Sequence, residues 1–104
     1  MSRVTIELWL GLSKELEGYF QSLSEIRSGR DEDVEEATTI RQLLDRIARS
    51  NFHFARKVFD TETKSLYPHL VLNYNDQVIS FYEAYDKTLK DGDKITILPM
   101  YAGG

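Results

Sequence analysis

From Val4 onward the chain alternates, with Val4, Ile6, Leu8 and Leu10 apolar and Thr5, Glu7 and Trp9 between them. A period of two over seven residues predicts a strand with one buried face, and it puts Trp9 on the other face. Gly11 ends this strand. Leu16, Tyr19 and Phe20 fall within Ser13 to Phe20, a stretch that fits a helical turn. Ser24 to Ser28 offers only Ile26 amid polar residues, and Gly29 to Asp33 is charged. A charged loop is expected there, splitting or bordering a returning strand whose second half is Val34 to Ala37.

A helical period begins at Thr39. This residue stands where an N-cap belongs, Gln42 follows at capping-box spacing, and Ile40, Leu43, Leu44, Ile47 and Ala48 form an apolar stripe. The pattern predicts a helix from Ile40 to Ser50. Phe52, Phe54, Val58 and Phe59 carry the hydrophobic content further, as an irregular extension or a second short helix, and Thr61 to Lys64 reads as a turn. After Pro68, His69 to Tyr74 favours a strand, Asn75-Asp76 a turn and Gln77 to Ile79 a return strand, which together make a hairpin. Phe81 to Tyr85 fits one helical turn, Leu89 is an isolated apolar anchor, and Asp91-Gly92-Asp93 is a tight corner before the last strand, Ile95 to Leu98. Strands with one main helix predict a sheet covered by that helix on one face. The first and last strands are expected to pair in parallel at its centre, which puts the C-terminal segment beyond one end of a central strand.

With 104 residues, 41% of them hydrophobic, the chain suits one modest core, so a single domain over 1–104 is expected, with 100–104 as a flexible C-terminal tail. Seventeen acidic against 13 basic residues give a net charge of −4, which argues against nucleic acid as a partner. No apolar run approaches the ~20 residues that span a bilayer, and no membrane partner is expected. The absence of cysteine removes disulfides, a thiolate nucleophile and thiolate metal sites. With no signal-peptide pattern after Met1, the expected location is the cytoplasm. His53 and His69 lack neighbouring ligands, and Asp91 and Asp93 lack the fuller ligand set of a calcium loop, so no metal site is expected. Asp31, Glu32 and Asp33 read as a solvated face. Lys94 either pairs with a partner protein or solubilises its strand. For Trp9, packing by the region after the helix is taken ahead of a place at an interface.

The chemistry lies at the end, in Met100, Tyr101, Ala102, Gly103 and Gly104. Two glycines can enter a slit too narrow for any other residue, and the only reactive group such a tail offers is the carboxyl of Gly104. Five extended residues reach at most about 17 Å. If Ile95 and Ile97 point inward, Thr96, Leu98 and Met100 point outward. Leu98, Met100 and Tyr101 are then expected to anchor a partner while Ala102, Gly103 and Gly104 thread its channel. The competing arrangement packs Leu98 and Met100 under Asn51 to Leu66.

The stretch Leu89 to Pro99, followed by Ala102-Gly103-Gly104, resembles the end of the ubiquitin-like sulfur carriers (MoaD/ThiS-like), and most closely the small subunit of molybdopterin synthase. Thr39 to Leu44 resembles the helix start of those proteins, and Tyr74-Asn75-Asp76 occupies the place of their usual turn. The chain departs from them in extra material at 29–33 and 51–66 and in Asp76, where the family's turn usually has glycine. The resemblance implies an α+β fold of the β-grasp (ubiquitin-like) kind, a mixed sheet packed against one main helix. It also implies a carrier rather than an enzyme, with no cofactor held stably. An adenylating, E1-like partner using ATP and magnesium would activate the Gly104 carboxylate, and sulfur would then replace AMP to give a thiocarboxylate. The molybdopterin synthase large subunit, or an equivalent acceptor, would take that sulfur for the dithiolene of the molybdenum cofactor. A thiamin-type carrier, a protein modifier linked through Gly104 to lysines, and an interaction module with an unactivated tail would share the same body.

Overall fold

A computed structural model describes residues 1–84 and 86–100 of the chain. In order, its elements are β1 (Ser2–Trp9), β2 (Gln21–Ser22), β3 (Arg27–Val34), α1 (Ile40–Ser50), α2 (Phe52–Lys57), β4 (Phe59–Asp60), β5 (Ser65–Leu66), β6 (Leu70–Tyr74), β7 (Gln77–Ile79), α3 (Phe81–Ala84) and β8 (Lys94–Pro99). The alternation at the N-terminus becomes β1, whose Val4, Ile6 and Leu8 are buried. β1 is central: it runs parallel to β8, with Ile6 opposite Ile95, and antiparallel to β3, with Ile6 opposite Arg30. The full order is β2-β3-β1-β8-β6-β7, and β4 and β5 form a separate two-stranded ribbon.

α1 starts where the capping box puts it. Thr39 Oγ1 accepts the N–H of Gln42 at 3.1 Å, and Gln42 Oε1 accepts the N–H of Thr39 at 2.9 Å, which satisfies two donors that a helix start leaves open. Its stripe of Ile40, Leu43, Leu44, Ile47 and Ala48 is buried in one core with Val4, Ile6, Leu8, Ile95 and Ile97. Asn51 then caps α2, its Oδ1 accepting the N–H of Phe54 at 3.1 Å. Phe54 is fully buried and stacks on Phe20 with ring centroids 6.0 Å apart, so the second short helix and the Ser13 to Phe20 turn close one end of the core. A mixed sheet packed against one dominant helix is a β-grasp, the α+β architecture that the resemblance implies. Among the described residues, no helix is long and apolar enough to cross a membrane.

The charged stretch at 29–33 is not a loop. It is the middle of β3, and its charges are partnered across the sheet: Thr5 Oγ1 donates to Asp31 at 2.9 Å and Arg3 lies 3.5 Å from the same carboxylate. Nor is Glu32 part of a solvated face. Its side chain is only 12% exposed, held by Arg30 at 2.9 Å and by Arg46 of α1 at 3.3 Å. Of the expected second half of that strand only Val34 is in β3, since Glu36 and Ala37 form a turn in which Ala37 has φ 66°. Gly29 is packed closely, because a Cβ there would meet Leu23 Cδ1 at 3.0 Å.

Candidate functional site

The last strand is stitched in place by its first residues. At the corner, Gly92 takes φ 88°, a conformation that side chains resist, and its N–H donates to the carbonyl of Arg3 at 2.9 Å. Arg3 N–H in turn donates to Asp91 Oδ1 at 2.8 Å. The buried carboxylate of Asp93 accepts the Tyr74 hydroxyl at 2.6 Å, the Asn75 amide at 3.1 Å and the Lys90 N–H at 2.8 Å. Burial alone would raise the Asp93 pKa, but these bonds outweigh it and hold the carboxyl below its ordinary value. Asn75 Oδ1 accepts the N–H of Lys94 at 2.7 Å, which ties the hairpin turn to the start of β8. The Asp-Gly-Asp corner is therefore a turn whose polar groups are used internally. Among the described residues, no group of three His, Cys, Asp or Glu side chains stands where it could hold a metal.

Along β8, Ile95 and Ile97 are fully buried in the core. Thr96 faces the other side, as alternation requires, but neighbours bury it to 8% exposure, so it is no outward contact. Leu98, opposite Val71, is half-buried on that same outer face. Pro99 pairs with Leu70, and the N–H of Met100 donates to the carbonyl of His69 at 2.8 Å. Met100 is 60% exposed, so it is not packed beneath the 51–66 segment. The expected tail residues Tyr101, Ala102, Gly103 and Gly104 lie outside the described residues.

Sequence reasoning missed a cluster on the sheet face opposite α1. Glu7 is 3% exposed there, although it alternates with the core residues of β1. Its carboxylate accepts the Trp9 indole N–H at 2.7 Å, the Nε–H of Arg27 and the Lys94 ammonium at 3.2 Å. Burial pushes its pKa up, yet the bonds from Arg27, Trp9 and Lys94 outweigh that and bring it below the ordinary carboxylate value. Lys94 is thus an internal partner of Glu7. Trp9 stays 38% exposed, with its indole N–H on Glu7 and the Arg27 guanidinium of β3 5.2 Å from its ring centroid. The signal was available in part: a carboxylate between two apolar neighbours, with tryptophan two residues on, is a candidate for pairing across strands.

The family model described as the ThiS family matches residues 18–104. The chain belongs to the ThiS family. Members of this superfamily are small sulfur carriers and ubiquitin-like modifiers that act with separate enzymes, E1-like activators and acceptor proteins among them. Among curated proteins nothing matches. Among solved structures, this ThiS-family chain is similar to SAMP1 from Haloferax volcanii at 17% identity and TM-score 0.69, over 99% of this chain and 100% of that one. It is similar to Urm1 from Trypanosoma brucei at 15% identity and TM-score 0.69, over 99% and 96%. It is also similar to a Pyrococcus furiosus protein assigned as subunit 1 of molybdopterin converting factor, at 16% identity and TM-score 0.66, over 97% and 100%. At these identities the likeness concerns the fold. It does not single out the molybdopterin synthase small subunit, so the expected closeness to that subunit is replaced by membership of the wider superfamily.

Proposed function

We propose that this chain is a ubiquitin-like sulfur carrier activated at the carboxylate of Gly104, with a role of the thiamin-carrier or protein-modifier type taken ahead of molybdopterin synthesis. The observation that carries this reading is that the ThiS-family match runs through the final glycine pair to Gly104. A carboxylate is a poor electrophile. Attack of its oxygen on the α-phosphorus of ATP, with loss of pyrophosphate, gives an acyl-adenylate, and a sulfur nucleophile then displaces AMP. Activation is the work of an adenylating partner that uses ATP and magnesium. This chain's contribution is to carry the acyl group on a short leash from a firmly bonded strand, which makes transfer an effectively local event. Leu98, Met100 and Tyr101 are the proposed partner contacts, and Ala102, Gly103 and Gly104 the residues that enter the channel.

The test is the intact mass after incubation with the adenylating enzyme, ATP, magnesium and a sulfur donor. A gain equal to one oxygen exchanged for sulfur supports the carrier. Isopeptide conjugates on lysines of other proteins favour the modifier, a reading supported by the likeness to SAMP1 and Urm1. Sulfur delivery to a pterin bound by a molybdopterin synthase large subunit would select the molybdenum-cofactor branch. With neither mass gain nor conjugates, the proposal fails.

A further inference from the structure

At the end of the sheet from which the tail departs there is a cleft of about 420 Å³, in the size range of pockets that take a ligand or an anchoring side chain. Its walls include Trp9, Leu12, Ile26, Leu70 and Pro99, and the exposed residues Lys57 and His69 are also part of the lining. We propose that this cleft is an anchor pocket that takes an apolar side chain together with an adjoining carboxylate from a partner protein.

The apolar half of the assignment follows from what is left in water. Ile26 is 57% exposed and Trp9 38%, while Leu12 and Leu70 beneath them are nearly buried. Trp9 is also held in place, since Glu7 accepts its indole N–H and Arg27 lies over its ring, so an incoming group meets a preset wall. The charged half follows from Lys57. The chain has 17 acidic residues, yet none lines the cleft, and among the described residues no carboxylate pairs with the Lys57 ammonium. Arg27 and Lys94, the nearby cations of the outer face, are already committed to Glu7. Among the described residues that line the cleft, Lys57 is the lysine or arginine available to a visitor.

Position decides for a protein occupant. Pro99 lines the cleft, and Met100 is bonded to the backbone of His69, another lining residue. Four further residues reach about 14 Å at most, so an enzyme that handles Gly104 must come up against this end of the sheet. Apolar anchors seated in pockets and flanked by polar contacts are where binding energy concentrates at such contacts. The choice of partner rests on the carrier reading, whereas the chemistry of the pocket does not.

Two measurements separate these. In amide and indole NMR spectra of the full chain, phenylpropionate joins an apolar body to a carboxylate, and phenylpropanamide is its uncharged counterpart. Phenylpropionate should give saturable shifts at Trp9, Leu12, Ile26 and Leu70, and bind about tenfold more tightly than the amide. Lys57→Glu should erase that preference and Lys57→Arg should keep it. Absence of saturable shifts at these residues, or equal affinity for acid and amide in the unaltered chain, overturns the pocket. With the adenylating enzyme, Lys57→Glu should raise Kd about tenfold while the same mass gain is reached at saturation. An unchanged Kd overturns the assignment to that partner. A chain that is never activated removes the carrier reading, and the phenylpropionate titration still decides the pocket.

Discussion

The N–H of Met100 donates to the carbonyl of His69 at 2.8 Å, so the backbone is bonded to the sheet up to the last residue described before the glycine pair. The described bonds that fix β8 all lie at or before this point. Deleting Gly104, or adding one residue after it, should therefore leave the thermal midpoint unchanged and abolish formation of the thiocarboxylate. Gly103→Trp should impair docking by bulk alone. Full sulfur transfer from a Gly104 deletion, with normal partner levels, would sink the proposed role.

Leu98 tests the outer face. It is half-buried opposite Val71, on the side of β8 away from Ile97. An aspartate there should weaken binding of the activating enzyme at least tenfold while costing the isolated chain about 1 kcal/mol or less. Chemical denaturation and titration calorimetry on the same variant separate the two. A loss above ~3 kcal/mol would mark Leu98 as a core residue instead.

Much of the frame was legible because it follows periodicity and local chemistry. Thr39 and Gln42 announce α1, the Val4-Ile6-Leu8 alternation announces β1, and Asn75-Asp76 between apolar runs announces the β6-β7 hairpin. β3 was not legible, because Arg30, Asp31 and Glu32 look like a loop until Arg3, Thr5 and Arg46 are brought alongside from distant parts of the chain. The same holds for the site. The expectation at Gly104 comes from the sequence and falls outside the described residues, whereas the Glu7 cluster and the cleft beside Pro99 exist only once β1, β3, α2 and β8 meet.

Asp76 carries a cost that a substitution can recover. It sits at φ 69°, the second of two consecutive left-handed residues in the hairpin turn, and its side chain is exposed. Glycine enters that region without the Cβ penalty, so Asp76→Gly should stabilise the fold by about 1 kcal/mol. Asn75→Gly should do the opposite although its φ is also positive, at 49°, because it would remove the acceptor of the Lys94 N–H and a donor to Asp93. Denaturant midpoints of both variants decide this, and a destabilised Asp76→Gly would contradict it.

The hydroxyl of Tyr74 and the carboxylate of Asp93, 2.6 Å apart, should shape the stability profile at both ends of the pH range. Burial first, and then the hydrogen bond and charge of Asp93, push the Tyr74 pKa up to about 12. A raised pKa means that the folded chain holds this proton more tightly than the unfolded one. The contribution is complete below the ordinary tyrosine value of ~10 and is lost as pH rises from there through about 12. Asp93 works in the other direction. Its pKa is depressed, so its contribution is present above the ordinary aspartate value of ~3.9 and is lost as pH falls through the lower folded value. Tyr74→Phe removes the alkaline arm directly and takes one donor from Asp93, so it should also make the acid arm shallower. Tyrosinate absorbance should show one late-ionising tyrosine in the unaltered chain that is missing from the variant, and denaturant midpoints against pH should lose slope at both ends. An acid arm of the same slope in the two proteins would mean that the Tyr74 hydroxyl does not help to hold Asp93 charged.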